Sequence, residues 1–172
     1  GGAGVHVAYL SRELAKLMQV EVRCFGDQQS LGTNPEVRGF EIETDNYTCP
    51  KPLGSVFGAV QRCLDFNTQS ITADVVHCHT WYSHFGGILA KLNYGVPLVI
   101  TVHSLEPLRP WKREQLGGGY VYTVWLEKTG LEMADAVIAV SNGTKADLER
   151  LFRIKPERLH VIYNGIDLDE YR

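Results

Sequence analysis

The sequence predicts an α/β fold in which a parallel sheet is covered by helices on both faces. Three observations carry that prediction. Short apolar, β-branched runs alternate along the chain with stretches whose apolar residues recur at helical spacing. The runs are of the kind found in strands buried on both faces rather than in half-solvated ones. One continuous segment, "ADVVHCHTWYSHFGGILAKLNYGVPLVITVHS", reads as a complete β-α-β unit: strand at Val75 to His79, loop, helix from about Phe85 to Tyr94, Gly95 as its stop, and strand at Leu98 to His103. Together these make the domain Rossmann-like.

The other elements follow in order. Gly1, Gly2 and Gly4 lead into a segment where Val7, Leu10, Leu14 and Leu17 recur at helical spacing, so a glycine-rich loop runs into a helix. "VEVRCF", Val20 to Phe25, alternates and stops at Gly26 as a strand does. Residues 26 to 36 are polar with glycine and proline, a surface loop before a strand at Val37 to Glu43. Val56, Phe57, Val60 and Leu64 mark an amphipathic helix running to about Ser70. After the β-α-β unit come a helix from about Tyr120 to Met133 and the strand "AVIAVS". Next are the helix "TKADLERLF", opened by a capping-box-like Thr144 and Asp147, and the strand "LHVIYN", closed by an Asn164-Gly165 turn. A domain of this kind begins with a strand feeding its first glycine loop, so residues 1–172 are expected to be one Rossmann-like domain truncated at its N-terminus.

Composition sets the limits. A chain of 172 residues, 44% hydrophobic and 22% charged, can bury the core of an ordinary soluble globular domain. A net charge of -3 gives no global pull toward nucleic acid or anionic membrane, so anion binding falls to local clusters and the expected partner is small. No run approaches the ~18 apolar residues of a membrane span, and no basic start precedes an apolar signal region, so a cytoplasmic location is the default expectation. Cys24, Cys49, Cys63 and Cys78 stand far apart without a C-x-x-C pair and are expected to be reduced and structural.

In parallel sheets of this class ligands sit beyond the carboxyl ends of the strands, which singles out His79 to His84, His103 to Gly119, Ser141 to Gly143 and Asn164 to Asp167. His103 ends an apolar strand and is followed by Ser104 and Glu106, so its imidazole should emerge at that edge. Arg109, Lys112 and Arg113 surround Trp111 beside the bare backbone of Gly117 to Gly119, and Pro107 and Pro110 argue for a rigid loop rather than a helix. Such a loop suits an anionic ligand. The alternative is that these cations are solvated or brace the loop against Glu106 and Glu114.

Gly1, Gly2 and Gly4 open a helix whose N-terminus is either a phosphate cradle or a tight turn. His6 and Val7 stand where a dinucleotide fingerprint needs its third glycine, so NAD binding is not supported. His77, His79 and His84 have a metal-like spacing that also arises when a strand ends in polar residues, and Asp167 with Asp169 follows a turn where solvated aspartates are routine. No metal is expected at either place.

The segments "GGAGVHV", "HCHTWYSHFGG", "GVPLVITVHSLEPLRPWKREQLGGGY", "ADAVIAVSNGTKADL" and "VIYNGIDLDEY" together resemble the N-terminal domain of the bacterial glycogen synthases of glycosyltransferase family 4, in particular the actinobacterial, maltose-1-phosphate synthase-like type. The resemblance covers nearly the whole chain. It implies a GT-B architecture, two Rossmann-like domains with the active site in the cleft between them. The implied reaction is retaining transfer of glucose from ADP-glucose to an α-1,4-glucan or to glucose-1-phosphate, with no cofactor and no metal.

By the same resemblance, His103 is the catalytic residue near the transferred sugar and Gly1 and Gly2 approach the donor phosphates. His79, Tyr82, Ser104, Glu106, Arg109, Lys112, Arg113 and Gly118 belong to the acceptor side. Tyr82 departs from the pattern: this chain reads "HTWY" where many glycogen synthases read "HDWH". The strand before the glycine loop and a donor-binding C-terminal domain with its Glu-x7-Glu motif are absent, so a fragment without turnover is expected. A sugar-nucleotide epimerase of the same fold and a noncatalytic carbohydrate- or phosphate-binding module are the alternatives.

Overall fold

A computed structural model describes residues 2–41 and 48–170 of the chain. Helix α1 (Gly2–Leu14) is followed by β1 (Glu21–Phe25), β2 (Glu36–Phe40), α2 (Lys51–Phe66), β3 (Val76–His79), α3 (Trp81–Tyr94) and β4 (Leu98–Val102). A short 3-10 turn (Glu106–Leu108) then leads to α4 (Lys112–Leu116), α5 (Gly118–Met133), β5 (Ala136–Ala139), α6 (Asn142–Leu151) and β6 (Leu159–Val161).

Strands β3, β4, β5 and β6 form one sheet in that order, every pairing parallel, with Val76 opposite Leu98, Val99 opposite Ala136 and Val137 opposite Leu159. Parallel pairing brings the carboxyl ends of all these strands to one edge. Strands β1 and β2 pair with each other, also in parallel, in a separate sheet. That separation was not expected from the sequence, which predicted one continuous sheet.

The core lies where periodicity placed it. Leu98 and Ile100 of β4, Val137 and Ala139 of β5, Leu131 of α5 and Leu148 of α6 are fully buried. Each large side chain among them contributes ~1.5–3 kcal/mol through burial. Within β4, Leu98, Ile100, Thr101 and Val102 are all buried, as a strand covered on both faces requires. Helix α3 approaches closely through Gly87, where an added Cβ would lie 2.5 Å from Cys78 Sγ and 2.6 Å from a Leu98 methyl. The four cysteines are free, and burial pushes the Cys63 and Cys78 thiols up to about 12, which leaves them protonated.

Several element ends differ from the sequence reading, each for a local reason. Helix α3 begins at Trp81 rather than Phe85, because Thr80 turns the chain sharply at φ 67 and the helix follows at once. Helix α2 stops at Phe66 rather than Ser70, where the Asn67 side chain donates to the carbonyls of Cys63 (2.9 Å) and Gly86 (3.1 Å). The cap of α6 is Ser141, whose hydroxyl accepts from the Thr144 N–H at 3.0 Å, so Thr144 lies inside the helix and is not its cap. Strand β2 is found at Glu36–Phe40, Glu41 lies past its end, and the expected positions 42 and 43 fall outside the described residues. Leu17, expected on the apolar face of the first helix, lies beyond its end and is 80% exposed.

Helix α1 is lightly packed, with Ser11 as its one buried residue. Its polar ties run to the segment after β6: Arg12 to Asp167 at 3.1 Å and to Glu170 at 3.6 Å, and the Tyr9 hydroxyl to Glu170. Among the described residues no helix is long and apolar enough to cross a membrane.

Candidate active site

His79 is the last residue of β3 and His103 the first after β4, so the parallel sheet delivers both imidazoles to its carboxyl edge. His79 Nδ1 lies 3.1 Å from His103 Nε2, a hydrogen bond within the pair. From α1, His6 presents its ring edge-on to His103, with centroids 4.8 Å apart, and stands 5.4 Å from His79. Two residues back along β3, the His77 ring is tilted against that of His79, with centroids 4.2 Å apart, and its Nε2 hydrogen-bonds the Thr101 hydroxyl at 2.7 Å.

Burial lowers the pKa of His6, His79 and His103 below the ordinary imidazole value, and neighbouring histidines add to the effect on His79 and His103. His77 falls to about 4 for the same main reason. At neutral pH the edge is therefore lined with neutral imidazoles, each offering a donor and an acceptor rather than a charge.

Beside this cluster lies a shallow cavity of about 220 Å3, lined by His103, Ser104, Leu105, Leu108 and Arg109 together with Thr144 and Asp147 of α6. The last two were read in the sequence only as a helix start. Their signal was positional: they belong to the turn of helix that follows β5, at the same edge.

Between the lining residues Leu105 and Leu108 in sequence stands a buried carboxylate. Glu106 is 1% exposed. Its Oε1 accepts from Lys112 Nζ at 2.8 Å, its Oε2 accepts from the Thr123 hydroxyl at 3.1 Å, and its carbonyl accepts from the Tyr120 hydroxyl at 3.2 Å. The Glu106 N–H donates to Glu127 Oε1 at 2.9 Å. Burial pushes the Glu127 carboxyl up to about 8, with the Glu106 N–H bond opposing and the Glu106 charge reinforcing the rise.

The expected cationic loop is thus divided. Arg109 lines the cavity, with Nη1 3.9 Å from Glu106 Oε1 and its side chain 40% exposed. Lys112 turns inward to Glu106, and the Arg113 guanidinium lies 5.9 Å from the centre of the Tyr120 ring. The segment is also not a plain loop. Pro107 falls within the 3-10 turn and Pro110 just before α4, at starting positions where a missing N–H breaks nothing.

A family model described as Glycosyltransferase Family 4 matches residues 1–170. The chain belongs to glycosyltransferase family 4. It is 45% identical to an alpha-maltose-1-phosphate synthase of Mycolicibacterium smegmatis over 172 residues, covering 97% of this chain and 41% of that protein. It is 30% identical to a D-inositol 3-phosphate glycosyltransferase of Xylanimonas cellulosilytica, covering 99% of this chain and 44% of that protein. In three dimensions it is similar to a sucrose-phosphate synthase of Thermosynechococcus elongatus, with a TM-score of 0.71 at 21% identity over 98% of this chain and 44% of that one. The α/β, Rossmann-like fold is therefore shared, and the chain spans less than half the length of these relatives.

The remaining predicted positions in this family 4 domain fall away from the histidine edge or into the scaffold. Gly1 lies outside the described residues, whereas Gly2 begins α1. Gly118 opens α5 directly after Gly117, which holds φ 50, and an added Cβ on Gly118 would meet open space. Tyr82 sits in the first turn of α3 with its ring against Phe25 at 5.4 Å and Trp81 at 5.7 Å. The histidine set weighed for a metal, His77, His79 and His84, is not assembled: His84 lies inside α3, buried against Gly130 of α5. Asp167 pairs with Arg12, and its Oδ1 accepts the Asp169 N–H at 3.0 Å. The histidine that sequence reasoning missed is His6, which joins the cluster only because α1 carries it across to the sheet edge.

Proposed function

We propose that this domain is the acceptor-side half of a retaining glucosyltransferase that moves glucose from ADP-glucose to a small phosphorylated sugar, glucose-1-phosphate, in preference to the uncharged ends of a glucan. The observation that carries the reading is the pairing of a neutral, hydrogen-bonded His103 with a half-buried Arg109 lining the same cavity. The names of the two groups of relatives, a maltose-1-phosphate synthase and an inositol 3-phosphate glycosyltransferase, each carry a phosphorylated small molecule, which supports the same choice.

In this reading His79 fixes the His103 ring, so that a His103 nitrogen can hydrogen-bond a hydroxyl of the transferred sugar as charge develops at its anomeric carbon. The bond from that carbon to the nucleotide diphosphate breaks, a bond to the acceptor oxygen forms, and the acceptor's proton passes to the departing diphosphate oxygen. Arg109 holds the acceptor phosphate, and Ser104 beside it offers a neutral donor. Donor contacts come from the second domain that the family resemblance implies, so the 172-residue chain alone should be silent.

Two substitutions in the full-length protein test this. His103→Ala should lower kcat far more than it weakens donor binding, as removal of a transition-state contact does. Arg109→Ala should reduce kcat/KM for glucose-1-phosphate by about tenfold or more, the effect of one charge-assisted hydrogen bond, and that for glycogen much less. Equal losses on both acceptors would reject the phosphorylated acceptor.

A further inference from the structure

We propose that His6, His79 and His103 form a binding site for one transition-metal ion of the zinc or nickel class, separate from any need of the transfer reaction. One ring nitrogen from each of the three lies within 4.8 Å of the other two. His79 Nδ1 and His103 Nε2 already stand 3.1 Å apart, held by a single shared proton. A tetrahedral ion with bonds of ~2.0–2.1 Å places neighbouring nitrogens roughly 3.3–3.4 Å apart, so this pair has nearly the separation an ion imposes.

The third ligand must close by up to about 1.5 Å from the 4.8 Å limit to reach that spacing. His6 can do so. It is half-buried on a helix whose one buried residue is Ser11, so ring rotation and a small shift of α1 meet little packing resistance. The ligands come from three elements, α1, the end of β3 and the exit of β4, and an ion would therefore fasten the loosely packed helix to the sheet edge.

Chemistry sets the class of ion. The cluster is all imidazole, which suits zinc, nickel or copper and disfavours magnesium and calcium, whose hard ions require oxygen ligands. Three protein ligands also leave a coordination position free for water. Because His103 belongs to both readings, a bound ion and a sugar compete for it, so added zinc should inhibit the full-length protein rather than activate it.

Direct metal binding by the 172-residue chain tests the site without any transfer assay, so its failure and the failure of the transferase reading are distinguishable. Zinc chloride titrated calorimetrically into metal-free chain should show one ion bound per chain and raise Tm, with magnesium chloride doing neither. Cobalt(II) should give the intense visible absorption of a tetrahedral site and be displaced by zinc. His6→Ala should weaken zinc binding by about tenfold or more, the scale on which perturbing a metal site acts, while His6→Cys should restore it. His160→Ala, on the exposed side of β6, should bind as the parent does. Zinc binding no tighter than magnesium, or unchanged zinc affinity in a folded His6→Ala chain, overturns the proposal. The cobalt spectrum of the parent decides it should the variant not fold: an octahedral, weakly absorbing spectrum counts against the site.

Discussion

Replacing Lys112 by methionine keeps the side-chain stem and removes the cation that faces Glu106. The structure sets the magnitude. Glu106 is 1% exposed, and its Oε1 has Lys112 at 2.8 Å and Arg109 at 3.9 Å. Stripping the partner from a fully buried charge costs ~3–5 kcal/mol. Here the loss is smaller, because the Lys112 side chain is 21% exposed and Arg109 can move inward, and about 2–3 kcal/mol is expected. For a chain of this length that lowers Tm by roughly 4–12 °C.

Thermal and urea unfolding followed by circular dichroism measure the change. Adding Glu106→Gln to Lys112→Met should recover much of the loss, since the amide carbonyl still accepts from Thr123 and no unpaired charge remains. A Lys112→Met chain within ~0.5 kcal/mol of the parent would refute the brace and return Lys112 to the ligand side of the cavity.

Stability should depend on pH in two opposed limbs. His84, lowered to about 3 by burial with the Glu127 backbone opposing, makes the unfolded chain the greater proton binder below 6.5, so its contribution is lost as pH falls from 6.5 toward 3. Glu127, raised to about 8, makes the folded chain the greater proton binder above 4.5, so its contribution is lost as pH rises toward 8. Urea midpoints across pH 4–8 should show both limbs, and Glu127→Gln should flatten the alkaline one alone. Gly130→Ala should destabilise by ~1–2 kcal/mol despite the better helix propensity of alanine, because the new Cβ would sit 2.8 Å from the buried His84 ring, and a Tm at or above the parent's would count against that packing. Turnover of the full-length protein should survive a chelator, and a loss restored by magnesium would show that the transfer reaction does use a metal.

The β-α-β unit from β3 to β4 was legible because both strands are buried apolar runs and Gly95 stops the intervening helix with φ 66 in the left-handed region. The carboxyl-edge rule placed His79 and His103 at the same edge of the sheet, and the structure adds that their rings meet there at 3.1 Å. What escaped was whatever depends on a turn that apolar spacing does not record. The backbone turn at Thr80 started α3 four residues early and put His84 inside a helix rather than in a loop following the strand that carries His77 and His79. The prolines misled in the opposite direction, since at the start of a helix they do not break it. Arg109 and Lys112 were read first as an anion site, with a brace on Glu106 as the alternative, and their division into one inward and one cavity-lining cation depends on tertiary burial of Glu106. His6 reaches the site only through the placement of α1, which no local pattern encodes, whereas Thr144 and Asp147 lie just past the Ser141 to Gly143 stretch that the edge rule singled out.

The ties from Arg12 and Tyr9 to Asp167 and Glu170 make α1 a lever between two places. One arm ends at His6 among the imidazoles, and the other is gripped by the segment that leaves β6. These exposed ties give a change in that segment's path a physical route to His6, and by reciprocity a ligand that draws His6 inward acts on the same contacts. The same short helix that the core barely holds is therefore positioned to report, at the sheet edge, the direction in which the chain departs from it.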